Sequence, residues 1–253
     1  MLIIGMTGPI GHGKTTFARG LEKIVPETIH LESSLVIAEV VNALHAKTTK
    51  LPERDNLDSI NEWLQPLPEI LLQTVKAHCS FAQIQLQAYE IERHPIEFGK
   101  LFLHIENMTR NPDLAKTEID VDNKERYRPI LQWIGGYLVK KVDSGIWYKE
   151  LVRRAHNAEI AGSKICVIGG LRFPSDATIL KQAGGVIVKV YRPGHLQYDM
   201  LDPTERERDN IPVDTTIVSD GTVEDMERCA AQVWQDIQTH NLQRTYRSSD
   251  HSQ

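Results

Sequence analysis

The chain predicts an α/β fold, a mostly parallel β-sheet covered by helices on both faces, with a helical insertion. Three observations carry that expectation. The run Leu2 to Thr7 is short and apolar, and it passes through a glycine-rich turn into the helix-like stretch KTTFARGLEKI. From Lys164 onward, strand-like and helix-like segments alternate. Between these regions, about Asn56 to Met108 carry helical patterning with no strand signal. In such sheets ligands bind at the carboxyl ends of the strands, which directs the search to the loops that follow them.

In chain order, a second helix is expected from about Ser34 to Ala46. Ile37, Val40, Val41 and Leu44 recur there at helical spacing, and Ser33 and Ser34 read as capping rather than catalytic residues. From Asn56 to Met108 the pattern is helical, broken by QPLP at Gln65 to Pro68 and by Pro95, with a Gln-containing helix over Phe81–Glu92. Asn111 to Glu125 is polar and reads as an exposed connection, the place for an internal hinge. Helices resume at RPILQWIGGYLVKK, where Ile130, Ile134 and Leu138 share a face, and at IWYKELVRRAHNAEIAG. A strand over Lys164–Ile168, a helix from Pro174 to Gln182 and a strand over Val186–Tyr191 follow; proline suits a first helical turn because its missing N–H is not needed there. After a charged loop from Arg192 to Val213 come the strand TTIV and a helix from about Thr222 to His240 with Met226, Ala230, Val233 and Ile237 on its apolar face. The tail RTYRSSDHSQ is polar and expected to be disordered.

At 253 residues the chain is long enough for one large core, so a single domain with a helical insertion at about 50–125 is the default. Apolar residues at 41% and charged residues at 25% exclude a disordered or fibrous chain. A formal charge of -5 gives no general attraction to nucleic acid or anionic membrane, which leaves small-molecule partners; a homodimer is compatible with it. No apolar run approaches the ~18 residues that cross a bilayer, and MLIIGMTG lacks the charged flank of a signal peptide. Cys79, Cys166 and Cys229 are widely spaced, which suits a reducing, cytoplasmic setting.

The stretch GPIGHGKTT, Gly8 to Thr16, fits G-x-x-x-x-G-K-[ST]. Glycines let the backbone turn tightly and aim N–H groups at phosphate oxygens, the lysine reaches the β- and γ-phosphates, and the hydroxyl after it ligates Mg²⁺. Gly8, Gly11, His12, Gly13, Lys14, Thr15 and Thr16 are therefore the expected ATP-contacting set, with Thr15 as the metal ligand and His12 contributing backbone rather than a base. The strand before the loop and the helix after it are the context the motif requires. An N-K-x-D stretch for reading guanine is absent.

Three further stretches, RPILQWIGGYLVKKVDSGIWYKEL, LRFPSDATILKQAGGVIVKVYRP and VDTTIVSDGTVEDM, together with the loop, resemble the phage-type deoxynucleoside monophosphate kinases. The resemblance covers the N-terminal loop and Arg128 to Trp234, not the block from about Leu35 to Glu125. It implies a P-loop kinase-like three-layer fold and ATP- and Mg²⁺-dependent phosphoryl transfer to a nucleoside monophosphate. Arg128, Leu131, Gln132, Gly135, Lys140 and Trp147 match the family pattern, Lys140 standing where arginine is usual. By resemblance Arg128, Gln132, Lys140 and Arg172 would bind the acceptor, and Lys14 and Arg172 would act in transfer. A solvated helix face competes for Arg128, an ion pair with Asp176 competes for Arg172, and Trp147 reads as core rather than a stacking platform.

One departure matters most. The family frame Asp-x-Arg-Phe-Pro-Asn-Glu reads Gly170, Leu171, Arg172, Phe173, Pro174, Ser175, Asp176 here. A phosphate acceptor is already largely dianionic at neutral pH, so no base is lost with the aspartate, only a support for the metal. Magnesium keeps several waters and takes few protein oxygens; Thr15 serves, with Asp176, Glu32, Asp199 or Glu205 left as alternatives for touching those waters. A binding or regulatory protein with little catalysis is the competing expectation. The loop 192–213, with Arg192, Arg206 and Arg208, resembles a lid in which Arg206 and Arg208 close over ATP; a charged surface loop is the alternative, and His195 is a weak acid or base candidate.

Overall fold

The computed structural model describes residues 1–9, 11–79, 95–115, 118–195 and 207–251. The chain divides into two compact units, one of Met1–Ser33 with Leu151–Gln253 and one of Ser34–Glu150. The second unit is wider than the expected insertion at about 50–125, extending beyond it at both ends.

The first unit is built on six strands: β1 (Leu2–Thr7), β2 (Thr28–Glu32), β3 (Ile165–Gly169), β4 (Val186–Tyr191), β5 (Thr215–Val218) and β6 (Thr245–Arg247). They lie in the order β2-β3-β1-β4-β5-β6, and every pairing is parallel. β1 is thus flanked by strands from far along the chain, with Leu2 opposite Ile165 and Ile4 opposite Val186. Its side chains alternate between faces. Ile4 and Met6 pack with Phe17 and Leu21 of α1 (Lys14–Ile24) and with Met226, Ala230 and Val233 of the helix Val223–Gln238. On the other face a β-carbon at Gly5 would meet Leu180 Cδ1, on the helix Pro174–Gln182, at 2.5 Å. Helices therefore cover both faces, as the three-layer expectation required.

β2 escaped the sequence reading. It is an edge strand with only one neighbour, and its TIHLE sequence mixes charge with apolar residues, as edge strands do. The tail also differs from expectation: Thr245–Arg247 forms β6, and Ser248–His251 a 3-10 turn. Tyr246 is buried and its hydroxyl donates to Asp236 at 2.8 Å, while Ser248 Oγ accepts the N–H groups of Asp220 at 3.0 Å and Gly221 at 2.8 Å. Burial of one aromatic ring and completion of three hydrogen bonds order a segment whose composition is polar.

Among its described residues the second unit contains helices and loops but no strand. α2 (Ser33–Lys47) starts directly after β2 and continues into it, followed by α3 (Leu57–Leu64), α4 (Leu67–His78), α5 (Pro95–Arg110) and α6 (Arg128–Lys141); α7 (Ile146–Ile160) leads back. Asn56 caps α3 by accepting the Ser59 N–H. The expected helix over Phe81–Glu92 lies outside the described residues. Asn111–Glu125 is less exposed than expected, since Leu114 and Ile119 are buried and the Asn42 side chain both donates to the Ile119 carbonyl and accepts its N–H. Trp147 is buried and donates to the Gly135 carbonyl at 3.1 Å, in keeping with a core role. Among the described residues no helix is long and apolar enough to cross a membrane.

Candidate functional site

β1 delivers the chain to Gly8 at the carboxyl edge of the sheet, where the backbone turns with φ of 129°. A β-carbon there would stand 2.1 Å from the Val190 carbonyl oxygen, so only glycine lets the loop pass over β4. Gly13 closes the loop with φ of 100° and precedes α1 without a side-chain cap. The first turn of α1 contains no acidic residue that would compete for its amide N–H groups. Thr15 is exposed in that turn and Thr16 half-buried. Lys14 Nζ donates to the carbonyls of Gly8 at 2.6 Å and Pro9 at 2.7 Å, which ties the loop across its own mouth.

The site is strongly cationic. Burial lowers Lys14 from its ordinary value to about 8, Arg208 and Arg172 push it the same way, and Glu32 opposes them. Arg208 is 5% exposed and is itself lowered by burial, with Asp209 countering and Arg172 adding to the shift. Lys14, Arg172 and Arg208 thus share one electrostatic neighbourhood. Arg206, Asp199 and Glu205 lie outside the described residues.

His12 does more than lend its backbone. Its side chain is 0% exposed, and Nδ1 accepts the Arg192 N–H at 2.9 Å, while buried Nε2 has no hydrogen-bond partner among the described residues. The rings of Tyr191 and His195 lie 5.6 and 5.3 Å from it. Burial lowers its pKa to about 4, assisted by His195, Lys14, Arg208 and Arg192. His195 also packs over Gly11, where a β-carbon would lie 2.7 Å from its Nε2. The root of the 192–213 loop is therefore fastened to the Gly8–Gly13 loop, a link that sequence spacing had no means of revealing.

At the end of β3, Gly169 stands opposite Glu32 of β2, and Gly170 adopts φ of 80°. Arg172 follows, and its backbone N–H donates to Asp176 Oδ2 at 3.1 Å, as does Phe173 N–H at 3.0 Å. Asp176 therefore closes the first turn of α8 (Pro174–Gln182) rather than pairing with the Arg172 guanidinium. Burial raises its carboxyl to about 6, with the two backbone donors and the Arg172 charge opposing.

Arg128, Gln132 and Lys140 all lie on α6 in the second unit. Gln132 and Lys140 are exposed, and Arg128 reaches Glu125 at 3.2 Å, a surface pair. Behind this helix face Trp133 and Tyr137 stack with centroids 4.7 Å apart, and Phe98 meets Tyr137 edge-on at 5.5 Å. Among the described residues no group of three or more His, Cys, Asp or Glu side chains gathers in a metal-binding arrangement. Against models of protein families and against curated proteins the chain finds no match.

Proposed function

We propose that the protein is an ATP- and Mg²⁺-dependent kinase that transfers a phosphoryl group to a nucleoside monophosphate, most consistently a deoxynucleotide, giving ADP and the nucleoside diphosphate. The observation that carries this reading is the convergence of Lys14, Arg172 and Arg208 beside an uncapped helix start at the carboxyl end of a parallel sheet. Two polyanions must be brought together, and preorganised cations offset their repulsion and the charge spread over the moving group.

The donor and metal fit the residues present. The amides of the Gly8–Gly13 loop and of α1 would cradle the phosphates, Lys14 would leave its loop carbonyls for the β- and γ-phosphates, and the exposed Thr15 hydroxyl would hold the metal. Magnesium, when bound with ATP, supplies neutralising charge at the β- and γ-oxygens. An acceptor phosphate oxygen bonds to the γ-phosphorus as the bond to the β-bridging oxygen breaks, and ADP leaves. No proton needs to be removed from a dianionic acceptor, so the chemistry tolerates the glycines at the end of β3. Arg172 clamps the acceptor. Arg128, Gln132 and Lys140 are assigned to acceptor binding by resemblance, and a cytoplasmic location suits a nucleotide substrate.

A second reading, a nucleotide-binding regulatory protein with little transfer, is favoured by the left-handed backbone at Gly170, which removes the usual aspartate and its geometry together. ADP release from Mg-ATP, measured with each nucleoside monophosphate offered singly and with none, separates the two. Acceptor-dependent release is expected; tight ATP binding with release no faster than the control supports the second reading.

A further inference from the structure

We propose that Glu32 takes the place of the missing aspartate, as the carboxylate that holds the water shell of a nucleotide-bound metal. The assignment rests on the nucleotide site proposed above and concerns how this chain completes it.

The sheet order puts β3 between β2 and the strand that carries the phosphate loop. An acid at the end of β3 would face that loop directly; an acid on β2 must reach across one strand, about 4.8 Å. Two features make the reach feasible. Glutamate is one methylene longer than aspartate, and its opposite number on β3 is Gly169, which has no side chain. A β-carbon built at Gly169 would lie 3.4 Å from Glu32 Cγ and 3.8 Å from its Oε1, so the glutamate stem lies over the face that Gly169 leaves open. Among the described residues, the half-buried carboxylate is also an anion that acts on Lys14 against Arg172 and Arg208.

Three other described acids near the sheet's carboxyl edge accept hydrogen bonds that hold local turns and caps. Asp176 is 3% exposed and accepts two backbone N–H groups. Asp220 accepts from Arg247 and Ser248, and Asp225 from the Thr222 N–H. Gly170 offers no substitute, because its φ of 80° disfavours any side chain. The two glycines and Glu32 thus form a reciprocal exchange: acid lost from one strand end, room made there, acid supplied from the next.

The test compares the full chain with Glu32→Gln in two media. With EDTA, ATP binding by the variant should equal or exceed that of the parent, because an anion beside Lys14 has been removed. With Mn²⁺, electron paramagnetic resonance should show the ion held about tenfold or more weakly in the variant's ATP complex, the usual loss when an outer partner of a metal is removed. A variant that loses affinity equally in both media reports a damaged fold and overturns the assignment. So does Mn²⁺ binding that is unchanged while the parent binds Mn-ATP. A parent that binds ATP in neither medium overturns the assignment together with the nucleotide site on which it rests.

Discussion

Lys14 is the residue on which the proposed activity turns, and its lowered pKa of about 8 makes a prediction of its own. A triphosphate beside it raises that value again, so ATP binding near pH 8 should take up protons, and affinity should fall as pH rises through 8. Calorimetry in two buffers of different ionisation enthalpy measures the uptake, and Lys14→Ala should abolish both uptake and phosphoryl transfer. His12 gives a stability counterpart. Its folded pKa is depressed from 6.5 to about 4, so the unfolded chain takes the proton first. Its contribution is complete above pH 6.5 and lost as pH falls toward 4. Thermal midpoints measured across pH 4–7 should therefore decline less steeply for His12→Asn, which cannot be protonated, than for the parent. Gly170→Asp would restore the resembling family's residue without its geometry, since φ of 80° costs a residue with a β-carbon about 1–2 kcal/mol. Chemical denaturation should show that loss, with no gain in turnover.

Short elements hold the site in place. Asp176 joins the β3 strand end to α8 through the Arg172 and Phe173 amides, and Asp176→Ala should cost about 1 kcal/mol by analogy with lost helix caps. If Arg172 depends on that turn for its aim, the variant's KM for the acceptor should rise more than its KM for ATP. Long periodic helices and apolar strands were legible in the sequence: Ile130, Ile134 and Leu138 marked α6, and Val186–Tyr191 came out as written. β2 was not, because an edge strand buries too little for its pattern to show, and with it went the pairing that sets Glu32 against Gly169. β6 was hidden for a different reason. Its order comes from the Tyr246–Asp236 and Ser248–Asp220 contacts, partners that no local window contains. Truncation after Leu242 should lower the melting temperature, and Tyr246→Phe should reproduce part of the loss.

At the scale of the whole chain, the glycine-rich turn between β1 and α1 was legible in the sequence, whereas the fastening of Arg192 to His12 depends on tertiary proximity across residues far apart in sequence. A ligand that binds only the folded state adds stability by mass action, about 2.7 kcal/mol at one hundred times its Kd. Mg-ATP at that excess should therefore raise the melting temperature of the parent and not of Lys14→Ala. The central position of β1 carries one more consequence, for synthesis. Leu2 must find Ile165, and Ile4 must find Val186, so β1 waits for two neighbours that are translated long after it. At roughly 5–20 residues per second a ribosome needs on the order of ten to thirty seconds to supply them. During that interval the apolar segment LIIGMT is exposed on the nascent chain without its sheet, which makes it the natural docking point for a holdase and the stretch where slowed translation would most promote aggregation.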